Sequence, residues 1–223
     1  MRDDPTNLVD HPPAYYENPR RDMLEYVPDG VRRSLEFGCG FGGFSALLKD
    51  KFGAECWAVE KDPTAARQAA KRLHKVITGD AASCVDVLPE NYFDCVICLD
   101  VLEHLADPYS LLCSVKAKLS RGGVVVASVP NIRYYRVLAE LVLHGNWGYK
   151  DHGVLDKTHL RFFTRKSIAK MFRQLGFQIL KLEGIHPTSS RTYKVLNTLL
   201  LGGLSDARYK HFAVVARPVL DSR

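Results

Sequence analysis

The sequence predicts an α/β protein whose parallel sheet carries helices on its faces. Short apolar runs alternate with helical stretches along most of the chain, which is typical of parallel strands joined by helices. No internal repeat or low-complexity tract interrupts this alternation. A chain of 223 residues with 46% hydrophobic side chains can form one sizeable core. A single α/β domain is therefore favoured over two independent domains.

Seven short apolar runs are the predicted strands. They are residues 34–37, 55–59, 75–78, 94–99, 123–128, 178–182 and 211–216. Helix starts lie between them, because Asp62 and Asp107 each place an N-cap acceptor before a first-turn proline. Thr164 can cap a further helix that runs to Gly176.

Two segments depart from the alternation. Residues 1–30 form a polar leader with two tyrosines close to two arginines, and it is either a disordered tail or a cap over a bound ligand. Residues 131–163 form a long, aromatic and basic insertion, longer than a simple crossover needs, and such insertions usually carry function. We therefore expect a cap at 1–30 and a main domain at 31–223, with a substrate lid at about 131–163.

Charge and cysteine usage limit the compartment and the partner. The net charge of +6 makes polyanion binding possible, but lysine and arginine occur as scattered pairs and not in a run, and this distribution does not favour a nucleic-acid partner. Residues 1–16 resemble no signal peptide, and the apolar run at 195–204 is too short to cross a bilayer. Six irregularly spaced cysteines suit a reducing compartment. Cys95 and Cys98 would point to opposite faces of a strand. We expect a cytoplasmic protein without a metal site; its oligomeric state is not predicted.

A glycine-rich turn follows the first predicted strand. Its glycines at Gly38, Gly40 and Gly42 let the backbone approach a ligand that larger side chains would exclude. Read as GxGxxG through Gly43, the turn fits a dinucleotide equally well. Glu36 separates the two cases, because an acid there can meet the ammonium of an amino-acid ligand and would repel a pyrophosphate.

Acidic residues also follow the second and third predicted strands. Glu60 can accept hydrogen bonds from ribose hydroxyls, and Asp80 can accept one from an adenine amine while neighbouring backbone reads the ring. Each acid alone could be a solvated strand end or a helix cap. Their joint occurrence favours a nucleoside ligand, since ligands bind at the carboxyl edge of such sheets.

In order and spacing these motifs resemble those of class I S-adenosylmethionine-dependent methyltransferases. The match covers about residues 34–130 and includes the sequence FDCVICLDVLEHL at 93–105. The resemblance implies a Rossmann-like sheet of seven strands, mostly parallel, whose last strand inserts antiparallel, with helices on both faces. It also implies S-adenosylmethionine as the cofactor. The cofactor-binding residues that we expect on this basis are Tyr16, Arg20, Glu36, Gly38, Gly40, Gly42, Glu60, Lys61, Asp80, Ala81, Leu99 and Asp100.

The insertion carries a second resemblance. Its segment GNWGYKDHGVLDKTHLRFFT at 145–164 is similar to one in bacterial methyltransferases of surface-polysaccharide and sugar-modification pathways, and so is the leader. That resemblance implies a small polar acceptor such as a sugar or a glycan precursor. The residues expected to bind the acceptor are Tyr134, Tyr135, Trp147, Tyr149 and Arg161.

Three residues are candidates for catalysis. Methyl transfer from a sulfonium is an in-line displacement, so alignment dominates and a base helps only if the acceptor must lose a proton. His104 follows the fourth predicted strand and has a suitable intrinsic pKa for a general base. His159 and Asp156 could orient a hydroxyl or an amine. Packing or structural hydrogen bonding remains the alternative for all three, and oxygen and nitrogen acceptors both stay open.

Other functions remain compatible with parts of the sequence. A nicotinamide oxidoreductase would use the glycines and Glu60 but leaves Glu36 unexplained. A methyltransferase acting on RNA or on another small metabolite fits the charge, although the Asn/Asp-Pro-Pro-aromatic turn typical of base-amine methylation is absent at 99–102. A non-catalytic cofactor-binding module is the third alternative.

Overall fold

The structure is a computed structural model that describes residues 19–219. Seven strands in this part of the chain form one sheet in the order β3-β2-β1-β4-β5-β7-β6. The strands are β1 (Arg33–Phe37), β2 (Glu55–Glu60), β3 (Lys75–Thr78), β4 (Phe93–Leu99), β5 (Leu119–Pro130), β6 (Phe177–Pro187) and β7 (Tyr209–Pro218). Strands β1 to β5 pair in parallel, whereas β7 lies antiparallel between β5 and β6. The predicted fold class and the antiparallel last strand are confirmed.

Helices connect the strands. They are α1 (Gly43–Phe52), α2 (Pro63–Ala69), α3 (Ala81–Cys84), α4 (Pro108–Lys118), α5 (Tyr135–His144), α6 (Arg165–Gln174) and α7 (Arg191–Leu199). The predicted caps at Asp62, Asp107 and Thr164 all accept hydrogen bonds from first-turn backbone amides. Capping of this kind satisfies amides that have no partner within the helix.

The core has two parts, one on each face of the sheet. In β4, Cys95 and Ile97 belong to a buried cluster with α1, whereas Val96 and Cys98 belong to a cluster with α4 and α6. Alternate residues of a strand point to opposite faces, so the two cysteines separate as their spacing predicts. Both are buried free thiols.

The described part of the leader packs against the sheet. Residues 21–26 form one short 3-10 helix, whose Met23 and Tyr26 are buried in the cluster with α1. Residues 1–18, which include Tyr16, lie outside the described residues. No helix between residues 19 and 219 is both long and apolar enough to span a membrane.

The insertion starts with α5 and returns to the sheet as irregular chain. Asn131 and Phe163 form a parallel bridge, and the Ile132 amide donates to the Phe163 carbonyl at 2.9 Å. Within the insertion, Val137, Val154 and Leu155 form a small buried cluster. The insertion is therefore fastened to the end of β5 and packs partly on itself.

Candidate active site

The carboxyl ends of β1, β2, β3 and β4 surround a cavity of about 690 Å³, which the insertion covers on one side. Such an edge is where α/β sheets bind ligands, because the loops after parallel strands meet there. Most of the predicted cofactor-binding residues line this cavity. They are Arg20, Glu36, Gly38, Gly40, Glu60, Lys61, Asp80, Ala81, Leu99 and Asp100.

In the glycine turn after β1, several residues have a positive φ, a backbone conformation that is strained for residues with a side chain. Gly38 has φ of 67°, and a Cβ atom there would lie 2.8 Å from the Val101 side chain. Gly42 has φ of 75° and precedes α1, where a Cβ would press on Ala69 and Leu73 at 3.2 Å. Gly42 therefore shapes the turn and does not line the cavity.

Glu60 ends β2 and holds the glycine turn in place. Its Oε2 accepts a hydrogen bond from the Gly40 amide at 2.8 Å, and its Oε1 accepts one from the Asp62 amide at 2.9 Å. Burial raises the pKa of Glu60, and these backbone hydrogen bonds oppose that rise. Each carboxylate oxygen retains a further acceptor position, so two neighbouring hydroxyl donors fit against it.

Glu36 lies deeper, with only 3% of its surface exposed. Its Oε2 accepts hydrogen bonds from the Ser45 hydroxyl at 2.6 Å and the Ser45 amide at 3.1 Å. Burial raises the pKa of Glu36 to about 8, although the bonds from Ser45 favour the ionised form. A cation bound in the cavity would lower the pKa of Glu36 again, because a nearby positive charge favours the ionised carboxylate.

Asp100 joins the leader to the end of β4. The Arg20 guanidinium forms an ion pair with Asp100 and donates to the Ser128 hydroxyl at 3.1 Å. Ser128 in turn donates to Asp100 at 2.8 Å. Burial alone would raise the pKa of Asp100, but neighbouring His211 and Arg20 lower it. Arg20, which is a predicted cofactor-binding residue, thus already has protein partners, and a ligand would have to share it.

Asp80 is an exposed helix cap as well as a cavity residue. Its side chain accepts from the Ala82 amide at 2.9 Å at the start of α3. Asp80 is therefore a helix cap, as the alternative interpretation expected, and it also lines the cavity.

The three predicted catalytic residues come together on one side of the cavity, across the junction between β4 and the insertion. The rings of His104 and His159 meet edge to face with centroids 4.7 Å apart. Asp156 accepts from the Thr158 amide and hydroxyl at 2.8 and 2.6 Å. It therefore fixes the turn that carries Thr158, whose hydroxyl and carbonyl contact His104.

The five predicted acceptor-binding residues do not line the cavity. Tyr134 and Tyr135 stack edge to face on each other, with ring centroids 5.0 Å apart. Trp147 and Tyr149 are exposed and lie near the Phe162 ring. Arg161 donates to the Ala106 carbonyl through Nε at 3.1 Å. The contacts of these five residues therefore lie within the insertion or between it and the rest of the protein, and none of the five lines the cavity.

Sequence reasoning missed several residues of the cavity wall. Glu103, His152, Gly153, Thr158, Leu160 and His211 all line it. Glu103 had a signal, because it directly precedes His104 after a buried strand. The others depend on how the insertion and β7 lie across the sheet, which no local pattern in the sequence specifies.

The sheet order, the antiparallel β7 and the acids at successive strand ends define the Rossmann-like methyltransferase class of fold. A solved S-adenosylmethionine-dependent methyltransferase from Archaeoglobus fulgidus has the same fold, with a TM-score of 0.65 and 22% identity over 92% of this chain and 94% of that chain. A possible histamine N-methyltransferase from Thermotoga maritima gives a TM-score of 0.63 at 17% identity, covering 92% of this chain and 89% of that chain.

Sequence comparison supplies the family. The family described as "Methyltransferase domain" matches residues 13–182. The ubiquinone biosynthesis O-methyltransferase of Vibrio vulnificus (strain YJ016) is 30% identical over 203 residues, covering 82% of this chain and 81% of that protein. The enzyme of the same name from Xanthomonas axonopodis pv. citri (strain 306) is 28% identical over 194 residues, covering 78% of this chain and 74% of that protein.

The chain belongs to the methyltransferase-domain family and is an S-adenosylmethionine-dependent methyltransferase. This assignment removes the nicotinamide oxidoreductase and the non-catalytic module as alternatives. The similarity to methyltransferases of sugar-modification pathways, expected from residues 145–164, is not shown by these relatives, which are named for ubiquinone biosynthesis.

The residues of the cavity fit the cofactor that this family uses. The glycine turn leaves space that a Cβ would fill, Glu60 keeps acceptor positions for hydroxyl groups, and the buried Glu36 suits a cation. These carboxylate oxygens are hydrogen-bond acceptors, which match the hydroxyl groups of a ribose and the ammonium of an amino acid.

Proposed function

We propose that the enzyme methylates a hydroxyl oxygen of a small polar acceptor. The observation that carries this proposal is a histidine pair on the cavity wall, with His159 buried and His104 half-buried. Their Nδ1 atoms are held by carbonyl groups, and their Nε2 atoms have no hydrogen-bond partner among residues 19–219. A hydroxyl must lose its proton during methylation, and a neutral imidazole is suited to accept it. The names of the relatives, O-methyltransferases, support oxygen as the methylated atom.

Each ring has a defined tautomer if its Nδ1 is the donor. His159 Nδ1 lies 3.1 Å from the Val154 carbonyl, and His104 Nδ1 lies 3.3 Å from the Thr158 carbonyl. Because a carbonyl only accepts, the proton belongs on Nδ1 and the Nε2 atoms carry lone pairs. Burial lowers the pKa of both histidines, so both are neutral at pH 7 and able to take a proton.

Residues on the other side of the cavity would hold the cofactor. Glu60 would accept hydrogen bonds from the ribose, Glu36 would face the ammonium, and Asp80 with Ala81 would border the adenine. Bound S-adenosylmethionine supplies an electrophilic methyl group. His104 would take the proton of the acceptor hydroxyl at Nε2 as the new oxygen–carbon bond forms and the bond from the methyl carbon to sulfur breaks, which leaves S-adenosylhomocysteine. His104 would later release the proton to water.

The proposal also assigns roles to the leader and to the insertion, as covers over the two bound ligands. Residues 1–30 would cap the cofactor through Arg20, with Tyr16 as a further contact outside the described residues. The insertion at 131–163 would act as the lid on the acceptor side. A sugar or glycan precursor remains one such acceptor, resting on the resemblance of residues 145–164 alone.

The proposal is tested with labelled S-adenosylmethionine and a panel of phenols, sugars and amines, using mass spectrometry to locate the added methyl group. We expect methyl ethers, and His104→Ala should lower kcat by about 100-fold with little change in cofactor affinity. The exposed His144 on α5 supplies the control, His144→Ala. Transfer to amines alone, or near-normal turnover by His104→Ala, would contradict the assignment.

A further inference from the structure

Five polar side chains form a closed circuit of contacts beside the cavity, which we call the leader clasp. Asp22 accepts hydrogen bonds from the Arg20 guanidinium at 3.1 and 3.2 Å, and its Oδ2 lies 3.1 Å from His186 Nε2. His186 Nδ1 lies 3.3 Å from His211 Nδ1, and His211 Nε2 lies 3.9 Å from Asp100 Oδ1. The ion pair of Arg20 with Asp100 closes the circuit. The clasp therefore joins the leader to the turn after β4 and to both β6 and β7.

Three residues of the clasp have an unfavourable backbone conformation. Arg20, Asp100 and His186 have φ of 43°, 54° and 53°. They are three of the five non-glycine residues between 19 and 219 with a positive φ. Such conformations persist only where their surroundings hold them, and they concentrate at functional sites. The contacts of the clasp thus hold the leader against the preference of its backbone, and loss of one contact should let the leader open.

The clasp divides into residues that line the cavity and residues that do not. Arg20, Asp100 and His211 line it, whereas Asp22 and His186 lie outside the cavity wall. His186 belongs to β6, and its side chain is 43% exposed. The contact between Asp22 and His186 therefore ties the leader to the sheet, and it can affect a ligand only through Arg20 and His211.

Charge counting shows what the two histidines can add to the clasp. Charged groups face the histidines from the leader, from the turn after β4 and from β7, and they are Arg20, Asp22, Asp100 and Lys210. Burial alone would raise the pKa of Asp22, but hydrogen bonds from His186 and Arg20 lower it below its usual range. Both carboxylates of the clasp are therefore ionised at neutral pH, and one guanidinium balances only one of them. One proton on the histidine pair removes the remaining negative charge.

The geometry assigns this proton to His186. A carboxylate only accepts, so His186 Nε2 carries a hydrogen towards Asp22. The contact between the two Nδ1 atoms needs one hydrogen between them. Burial lowers the pKa of His211 to about 4, so an added proton stays on the exposed His186, whose Nδ1 then donates to His211. A protonated His186 binds Asp22 by a charge-assisted hydrogen bond, which is roughly twice as strong as a neutral one.

We propose that His186 is a positioning residue, which holds Asp22 and thereby keeps Arg20 and the leader closed over the cofactor, most firmly when His186 is protonated. Histidine commonly changes its charge between pH 5 and 8. Closure should strengthen as the pH falls from 8 to 6, because the closed clasp binds the proton more tightly than a leader that has withdrawn Asp22. This inference rests on the cap role proposed for residues 1–30, and it adds a residue of β6 that holds the cap in place.

Limited trypsin digestion measures how often the leader opens, because Arg20 and Arg21 are cleavage sites within it. Cleavage there, identified by mass spectrometry, follows the population of the open leader when opening and closing are fast. The rate for His186→Ala divided by the rate for wild type cancels the pH dependence of trypsin. We expect this ratio to be about 10 at pH 6 and about 3 at pH 8. Cleavage elsewhere in the chain reports unfolding of the whole domain and should not change.

Three further variants separate the proposed role from simple packing. His186→Gln keeps an amide donor for Asp22 but takes no proton, so it should protect the leader about as well as wild type at pH 8 and less well at pH 6. In an Asp22→Ala background, His186→Ala should change the cleavage rate by less than about 2-fold, because both residues act through one contact. The exposed His144→Ala is the matched control and should follow wild type.

Saturating S-adenosylhomocysteine tests whether the closed leader covers the cofactor. It should slow cleavage after Arg20 and Arg21 by at least about 5-fold in wild type and in His186→Ala, because a ligand that binds the closed state lowers the open population. A ratio near one at pH 6, a ratio that does not fall by pH 8, or cleavage that the ligand does not slow would each overturn the inference. Methylation of amines alone would overturn the proposed oxygen methylation without changing these rates, so the two failures are distinguishable.

Discussion

Replacing Glu36 by glutamine should make the stability of the enzyme less dependent on pH. Burial raises the pKa of Glu36 from its ordinary 4.5 to about 8 in the folded protein. A carboxyl with a raised pKa in the folded state contributes stability fully below about pH 4.5, and this contribution is lost as pH rises towards about 8. Glutamine stays neutral over that range and shows no such loss.

The size of the effect follows from the pKa. Each pH unit between the unfolded and the folded pKa costs about 1.36 kcal/mol of unfolding free energy. For Glu36 the loss is about 3 kcal/mol at pH 7 and about 4 kcal/mol at pH 8. The group is fully buried, so solvent screening removes little of this loss. Glutamine can keep a bond from Ser45 through its carbonyl oxygen.

Urea unfolding at pH 5, 7 and 8 measures the effect in the absence of cofactor. The difference in unfolding free energy between Glu36→Gln and wild type should grow by about 2 to 3 kcal/mol from pH 5 to pH 7. The exposed Glu90→Gln is the matched control and should follow wild type. A constant difference across this range would refute the assignment of a neutral, buried Glu36.

The remaining predictions concern cofactor binding, measured by calorimetry with S-adenosylhomocysteine. Its affinity should rise with pH towards about 8 in wild type and less in Glu36→Gln, since its ammonium favours the ionised carboxylate. Glu60→Ala should weaken binding at least about 10-fold by removing charge-assisted hydrogen bonds, and unchanged affinity would exclude the ribose contact. Deleting residues 1–21, and with them the Arg20–Asp100 ion pair, should weaken binding while melting stays cooperative; equal affinity would make the leader dispensable.

The strands were predictable because their signal is local. All seven predicted segments lie in observed strands, but β5, β6 and β7 extend further than their apolar runs. In β5 the extension contains Gly122, which precedes Gly123 at the start of the predicted run, and the pairing with β4 here shifts register between Phe93 and Cys95. Glycines at such an irregularity weaken the strand pattern in the sequence.

The residues that would bind the cofactor were easier to predict from the sequence than those that would bind the acceptor. The cofactor side follows from topology, since Glu36, Glu60 and Asp80 belong to or follow parallel strands that end at one edge. The acceptor side depends on the path of an irregular insertion. The aromatic residues of the insertion are predicted to bind the acceptor, yet Trp147 packs near Phe162 and does not line the cavity. The path is set by tertiary hydrogen bonds to the Glu103 carbonyl, which have no periodic signature.

The same hydrogen bonds limit which part of the insertion could move if it acts as the proposed lid. Its return is fixed at residues 160–163 by bonds to Glu103 and by the bridge to Asn131, so His159 cannot move far from β4. The stretch from 141 to 152 is almost wholly exposed, although its end at His152 lines the cavity. Opening by this exposed stretch would admit an acceptor without disturbing the spacing of His104, His159 and Glu103. Under the proposed function, catalytic geometry and access would therefore belong to different parts of one insertion, which is the condition for a preorganised site that still exchanges its ligands.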